Sequence, residues 1–241
     1  MLYNKIMQNL VNKTVLITGS SRGIGAETAV NFAKEGCNVI ITFVDEISQA
    51  KEVSKKCEKA GAKSVEIVHL DVTKPESIKS ALKTIILKFG AIDILVNNAG
   101  VIRWKKFESQ SDEDILEQIN TNLAGLILMT KYCLQHIRDC IINIASGAAS
   151  HPVKDLSVYS ATKHGVRGFT EVLAIEEVGL SVYSVSPTMT STEMTDYHGM
   201  PASKVAEVIV QTAKDGYGME SGSDIRVWEV LNKKPAFMGS K

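Results

Sequence analysis

Cysteine is sparse in this chain of 241 residues: there are four, Cys37, Cys57, Cys133 and Cys140, and none sits in C-x-x-C spacing. The five histidines, His69, His136, His151, His164 and His198, are equally scattered. Together these exclude a disulfide framework and argue against a zinc site; buried thiols are expected. Charge of one sign is also missing, since Lys plus Arg equals Asp plus Glu at 27 each. That balance offers no electrostatic footprint for nucleic acid or an anionic membrane. The longest apolar run, near residues 123–129, is far below the ~20 residues that span a bilayer. The N-terminus lacks the apolar core of a signal peptide, so a soluble, cytoplasmic protein is expected. With five prolines, no linker of Pro or Gly and no low-complexity stretch, the chain reads as one domain over residues 1–241.

What is present is alternation. Short apolar, β-branched runs occupy residues 15–18, 39–43, 65–70, 94–97, 141–144, 181–185 and 225–230. Between them lie amphipathic helical patterns over residues 24–35, 48–60, 76–89, 112–137, 158–178 and 203–214. Strands that are apolar at every position are buried on both faces, as in a parallel sheet. The alternation predicts a single-domain α/β fold, a doubly wound Rossmann-type parallel sheet of about seven strands with helices on both faces. Such sheets bind ligands beyond the carboxyl ends of their strands. The polar and glycine residues worth naming follow strand ends: Gly19 to Gly25, Asp71, Asn97 to Gly100, Ser146, and Pro187 to Thr192.

The first of these clusters, Thr18-Gly19-Ser20-Ser21-Arg22-Gly23-Ile24-Gly25, is a strand end, a glycine-rich turn and a helix start. Glycines let the backbone approach a pyrophosphate, whose charge is favoured at a helix N-terminus. The spacing G-x-x-x-G-x-G differs from the commoner G-x-G-x-x-G, but its place directly after the first strand is the expected one. The second strand ends at Phe43-Val44, with neither an acid nor a base at its tip, and Asp45 falls beyond it. Arg22, inside the turn, is suited to a 2′-phosphate or is a solvated loop charge. NADP(H) is therefore the expected cofactor, with NAD(H) the alternative.

Tyr159 and Lys163 are four residues apart, which on a helix places a phenol and an ammonium on one face. A nearby cation favours the phenolate and lowers a pKa normally near ~10. A tyrosine tuned this way can exchange a proton with an alcohol or carbonyl oxygen. The spacing also arises by chance on many helices, so its meaning depends on its surroundings.

Those surroundings reach a family. Thr18-Gly19 with Gly23-Ile24-Gly25, Asn97-Asn98-Ala99-Gly100, Asn122-Leu123-Ala124-Gly125, Ser146, and Tyr159 with Lys163 resemble the short-chain dehydrogenase/reductase family in order and spacing, over about residues 10 to 230. The nearest resemblance is to 3-oxoacyl-acyl-carrier-protein-reductase-like members. It implies that Tyr159 is the general acid/base, that Lys163 holds the nicotinamide ribose and depresses the Tyr159 pKa, and that Ser146 bonds the substrate oxygen. Asn122 corresponds to the residue supporting a proton relay to the lysine. Asn98, Ala99 and Gly100 are implied on the adenosine side, Asp71 and Val72 at the adenine ring, and Gly19, Ser21, Arg22, Gly23, Ile24 and Gly25 along the phosphates. Pro187, Thr190 and Thr192 complete the implied cofactor contacts, and residues 189–201 form a short substrate lid. No metal is implied.

Departures narrow the expectation. Pro187-Thr188 stands where the family reads Pro-Gly, and Ile175 where acyl-carrier reductases tend to carry Arg. A turn of only Ile137-Arg138-Asp139-Cys140 before the fifth strand lacks the basic residues that would dock an acidic carrier protein. Fatty-acid synthesis is thus not expected. Tyr183, Trp104 and Trp228 read as packing residues. The leading expectation is an NAD(P)(H)-dependent oxidoreductase interconverting a small carbonyl compound and a secondary alcohol, assembled as a homodimer or homotetramer. A dinucleotide-sensing regulator on the same fold is the alternative. A sugar epimerase would need more chain after Ser181.

Overall fold

Alternate residues of the first strand, β1 (Thr14–Ile17), face opposite cores. Val15 and Ile17 point to one side and Leu16 to the other, and all are fully buried. A strand covered on both faces needs apolar side chains at every position, which is why its run shows no polar alternation. The computed structural model describes residues 8–232, so residues 1–7 and 233–241 of the expected domain lie outside the described residues.

The elements follow in order: α1 (Gly23–Lys34), β2 (Asn38–Phe43), α2 (Ile47–Ala60), β3 (Ser64–His69), α3 (Pro75–Phe89) and β4 (Ile92–Asn97). Then come α4 (Asp112–Ile119), a π-helical segment (Asn120–Gly125), α5 (Leu126–Cys133), β5 (Ile137–Ile144), α6 (Ser157–Glu176) and β6 (Ser181–Ser186). The described residues end with a two-strand ribbon, β7 (Thr190–Ser191) and β8 (Met200–Pro201), then α7 (Ala202–Ala213), β9 (Asp224–Arg226) and α8 (Val227–Asn232). The main sheet has seven parallel strands in the order β3-β2-β1-β4-β5-β6-β9. Strand order reverses between β1 and β4, and a doubly wound sheet opens its ligand crevice at that point. Phe32, Val53, Val205 and Ile209 bring α1, α2 and α7 onto one face. Ile78, Ile85, Met129 and Leu173 bring α3, α5 and α6 onto the other.

Three expectations change. The strand expected over residues 225–230 is a three-residue β9 followed by α8. β9 is an edge strand that pairs only with Ser184 to Ser186. Beyond it an Arg226–Glu229 ion pair at helical spacing supports a turn of helix, with Val227 buried. The turn expected at Ile137 to Cys140 belongs to β5: Ile137 pairs with Ile92, and a bulge between Ile92 and Ile94 absorbs Arg138 and Asp139. The helix expected over residues 112–137 is α4, the π segment, α5 and a short 3₁₀ turn, Leu134–His136. Its start is marked by a capping box, with Ser111 accepting from Asp114 N and Asp114 accepting from Ser111 N. Among the described residues no helix is long and apolar enough to cross a membrane. The four cysteines are buried and form no disulfide.

Candidate active site

β1 runs into the glycine turn, where Gly19 and Gly23 have φ of +63° and +57°. A Cβ on Gly25 would lie 2.5 Å from the Gly19 carbonyl oxygen and 2.6 Å from Asn98 Nδ2, so the turn closes only with glycine there. Residues that sequence reading missed hold it. Thr42 Oγ1 accepts from Gly19 N at 2.9 Å and donates to Ile17 O at 3.0 Å. Buried Ser20 donates to Ile17 O and accepts from Thr42 N. Thr18 Oγ1 accepts from the amides of both Asn98 and Ala99 at 2.9 Å. The Asn98 side chain donates back to Thr18 O and Gly19 O, so its amide clamps the turn from inside. Thr18 stands next to the glycines, a signal that was readable. Thr42 sits 23 residues away from Gly19 in the chain, and nothing local announces it.

The N-cap of α1 is Arg22, which makes no capping side-chain bond. The first amides of a twelve-residue helix are thus left for an outside acceptor, and the helix end favours an anion. This uncapped N-terminus behind a glycine cradle fits a dinucleotide pyrophosphate. Ser21 and Ile24 lie on the same turn. Arg22 is exposed and pairs with Glu193 at 2.9 Å, while Thr192 Cγ2 would lie 3.4 Å from a Cβ on Gly23. The 189–201 segment therefore rests against the glycine turn.

Asp71 ends the β3 turn. Its Oδ1 accepts from Thr73 N and Thr73 Oγ1, and its Oδ2 lies 3.0 Å from Lys74 Nζ. Burial would raise this carboxyl, but the bonds to Thr73 and Lys74 outweigh it and hold the pKa below its ordinary value. Val72 is buried against Gly125, and the N-cap of α3 is Lys74, not Asp71. Pro187 is buried and its carbonyl accepts from Gly147 N at 2.7 Å. Thr190 is buried and donates to Thr188 O, and Thr192 caps the 3₁₀ turn Glu193–Thr195. In the 189–201 segment Met189, Met194 and Tyr197 are exposed, whereas Met200 packs on the core.

Asn122 lies in the π segment, fully buried. Its Oδ1 accepts from Val101 N at 2.7 Å and its Nδ2 donates to Val101 O at 2.8 Å. It thereby pairs with the loop after β4 as a strand would, and Nδ2 also reaches Thr162 Oγ1 on α6 at 3.3 Å. The weak helix former inside a long helical pattern marks the place where that helix widens. Asn122→Ala would leave the part-buried N–H and C=O of Val101 without this partner. It is expected to cost ~1–3 kcal/mol, read as a lower urea midpoint at unchanged m-value.

Ser146 follows β5 and accepts from Ala148 N at 3.1 Å. Its hydroxyl also acts on the Tyr159 phenol, favouring the phenolate. Tyr159 lies in the first turn of α6, and one turn on Lys163 is buried with Nζ 5.7 Å from the Tyr159 ring centroid. Lys163 Nζ donates to Ile144 O at 2.7 Å, and a Cβ on Gly100 would approach it to 3.7 Å and Asn122 Oδ1 to 3.2 Å. Gly100, Asn122, Ser146, Tyr159 and Lys163 thus converge at the carboxyl ends of β4 and β5. One expectation is reversed. Burial raises the Tyr159 pKa, and the nearby Ser146 hydroxyl offsets this only in part. The ammonium faces the ring and donates to Ile144 O. Burial also lowers Lys163 to about 8. Tyr183 is a packing residue as expected, its hydroxyl donating to Asp215 and Met219 O. Trp104 is exposed, and Trp228 meets His151 edge-on at 5.9 Å beside Gly147. Among the described residues no His, Cys, Asp or Glu cluster could hold a metal ion.

A parallel sheet with a glycine-cradled helix end, and with Ser, Tyr and Lys at the neighbouring strand ends, defines a dinucleotide-dependent oxidoreductase. The family model described as short chain dehydrogenase matches residues 13–200, and the chain belongs to that family. It is 34% identical to an uncharacterized oxidoreductase of Staphylococcus saprophyticus, over 79% of each chain. It is 33% identical to the 3-oxoacyl-acyl-carrier-protein reductase FabG of Staphylococcus epidermidis, over 77% of this chain and 78% of the relative. A short chain dehydrogenase from Burkholderia cenocepacia, solved in complex with NADP, superposes with a TM-score of 0.84 at 27% identity, covering 91% of this chain and 97% of that one. The reaction class is the interconversion of a carbonyl and an alcohol.

Proposed function

We propose that this chain is an NADP(H)-dependent reductase of a small carbonyl compound, with Tyr159 as the proton donor. The observation that carries this reading is buried Lys163, with Nζ 5.7 Å from the Tyr159 ring centroid and bonded to Ile144 O at the strand end before Ser146, set beside the uncapped α1 N-terminus. Bound there, the dinucleotide would supply the hydride. Gly19, Ser21, Gly23, Ile24 and Gly25 would hold its phosphates, and Asp71, Val72, Asn98, Ala99 and Gly100 would flank its adenosine half. Lys163 would orient the ribose, with Pro187, Thr190 and Thr192 closing over it. Ser146 would fix the substrate carbonyl oxygen, and Tyr159 would protonate that oxygen as negative charge develops on it. A phenol kept protonated by burial is the form that reduction needs. Asn122 would keep the loop after β4 against the lysine. The chain from 189 to 201 would act as the lid. A dinucleotide sensor would need the cradle but not the acid.

Arg22 is the reader we assign to the 2′-phosphate. Its present partner Glu193 is exposed, and exposed pairs contribute only ~0–1 kcal/mol. A charge-assisted bond to phosphate contributes more, ~1.5–3 kcal/mol. Arg22→Ala is therefore expected to weaken NADPH binding ~10–100-fold and leave NADH binding within ~2-fold. Fluorescence titration of each cofactor, beside a screen of ketones, aldehydes and acyl thioesters, checks both claims. Equal loss for the two cofactors would remove Arg22 from this role; no turnover of any carbonyl would sink the reductase reading.

Exposed Leu116, Ile119, Val172 and Ile175 on α4 and α6 support self-association through those helices, as a homodimer or homotetramer. Buried thiols that are not joined in disulfides suit a reducing cytoplasm.

A further inference from the structure

The loop carrying Ser146 is tied down at three points. Gly147 N donates to Pro187 O, and Ser160 Oγ donates to Ala148 O. The third tie is Arg167, whose Nη1 donates to Ala149 O at 3.0 Å and to Ser150 Oγ at 2.9 Å. Arg167 stands on α6 four residues after Lys163 and eight after Tyr159. Those positions share a helix face. Its other side meets Asp224 of β9 as an ion pair without a hydrogen bond: Nε lies 3.4 Å from Asp224 Oδ2, which Arg226 Nε also approaches at 3.5 Å, with the Arg167 and Asp224 side chains 22% and 8% exposed. Asp224 is itself fixed, because its Oδ1 accepts from Ser184 Oγ at 2.8 Å and from Ser186 Oγ at 2.6 Å. None of this is needed to close the sheet, since β9 pairs with β6 through the backbone.

We propose that Arg167, held by Asp224, is a positioning residue that fixes the Ser146 loop against the helix bearing Tyr159 and Lys163. The proposal rests on the reductase reading above. Tyr159 and Lys163 are rigid with respect to each other because one helix carries both. Ser146 comes from a different element, a 3₁₀ turn of three residues. Its distance to the phenol is set by whatever joins that turn to α6. A guanidinium can fork between two loop oxygens and still face a carboxylate, because its donors point in several fixed directions in one plane. Neither an ammonium nor a neutral side chain of this length does so.

Arg167→Lys is the informative variant. It keeps a charge beside Asp224, so the fold is retained, but it cannot also reach Ala149 O and Ser150 Oγ. Misplacing a reacting group by about 1 Å can cost up to ~10²-fold, and kcat for carbonyl reduction is expected to fall ~10–100-fold. The NADPH dissociation constant should stay within ~2-fold, since no cofactor contact is touched. Because Arg167 acts through Ser146, the same change in a Ser146→Ala background should cost less than ~2-fold more. Equal losses in the two backgrounds would overturn the proposal, as would an unchanged kcat. Hydrogen exchange of the amides of residues 148–151 reads the tether without any turnover. Exchange at least ~10-fold faster in Arg167→Lys is expected, and unchanged exchange overturns the tether. If the unmutated protein reduces no carbonyl, the reductase reading fails, and the exchange result still decides whether Arg167 holds the loop.

Discussion

Replacing Tyr159 by phenylalanine is expected to lower kcat for carbonyl reduction by roughly 10³-fold, within the ~10²–10⁴-fold that a positioned acid contributes. The substitution removes one oxygen and little else. Phenylalanine keeps the ring that faces Lys163 Nζ at 5.7 Å, so α6 and its neighbours have no reason to move. Ser146 keeps its bond from Ala148 N. Cofactor affinity should therefore hold while turnover collapses, and that split separates a lost proton donor from a damaged site. The rival assignment makes Ser146 the donor. It predicts near-normal turnover in Tyr159→Phe and a collapse in Ser146→Ala. Direction of reaction gives a second discriminant. Burial holds the phenol protonated, so reduction by the unmutated enzyme should persist through neutral pH. Alcohol oxidation, which needs a base, should rise as the medium becomes more alkaline. A steady-state pH series in both directions reads this directly. Its alkaline dependence in the oxidative direction should vanish in the phenylalanine variant.

The sheet was readable because both of its faces are buried. Val15, Leu16 and Ile17 belong to two different cores, and only a doubly covered strand asks for three apolar residues in a row. Tyr159 and Lys163 were readable because a helix converts spacing into proximity. Long-range contacts were not readable. Thr42 clamps a glycine turn 23 residues away, and Arg167 reaches Asp224 across two elements. The π segment was half visible: Asn122 breaks a helical pattern, but its partner Val101 lies in a loop with no periodicity to announce it. Strand ends at the sheet edge were misread for a related reason. The residues from Ile225 to Val230 have β-forming side chains, yet β6 offers an edge only three residues long to pair with. The Tyr159 pKa was misjudged because spacing reports a neighbouring charge and is silent on desolvation. Here desolvation is the largest effect.

That same desolvation acts on Lys163 and leads to an opposite pair of effects from one substitution. Lys163→Met is expected to stabilise the cofactor-free protein while reducing kcat by at least ~10²-fold, as loss of a preorganised donor does. Burial brings the ammonium from an ordinary 10.5 to about 8. A shift of that size corresponds to roughly 3 kcal/mol of penalty for holding the charge inside the fold. Methionine keeps the apolar stem and removes the charge. It also removes the bond to Ile144 O, which offsets ~1 kcal/mol, leaving a net gain of ~2 kcal/mol at neutral pH. The sign can be tested through pH. Below about 8 the lysine is protonated in both folded and unfolded chains, and the whole penalty is present. Between about 8 and 10.5 the folded chain has released the proton and the unfolded chain still binds it, so the unmutated protein gains stability as pH rises. The advantage of Lys163→Met should therefore be largest at pH 7 and shrink toward pH 10, measured as the difference between urea midpoints at each pH. A constant difference across that range would mean that the ammonium is not desolvated.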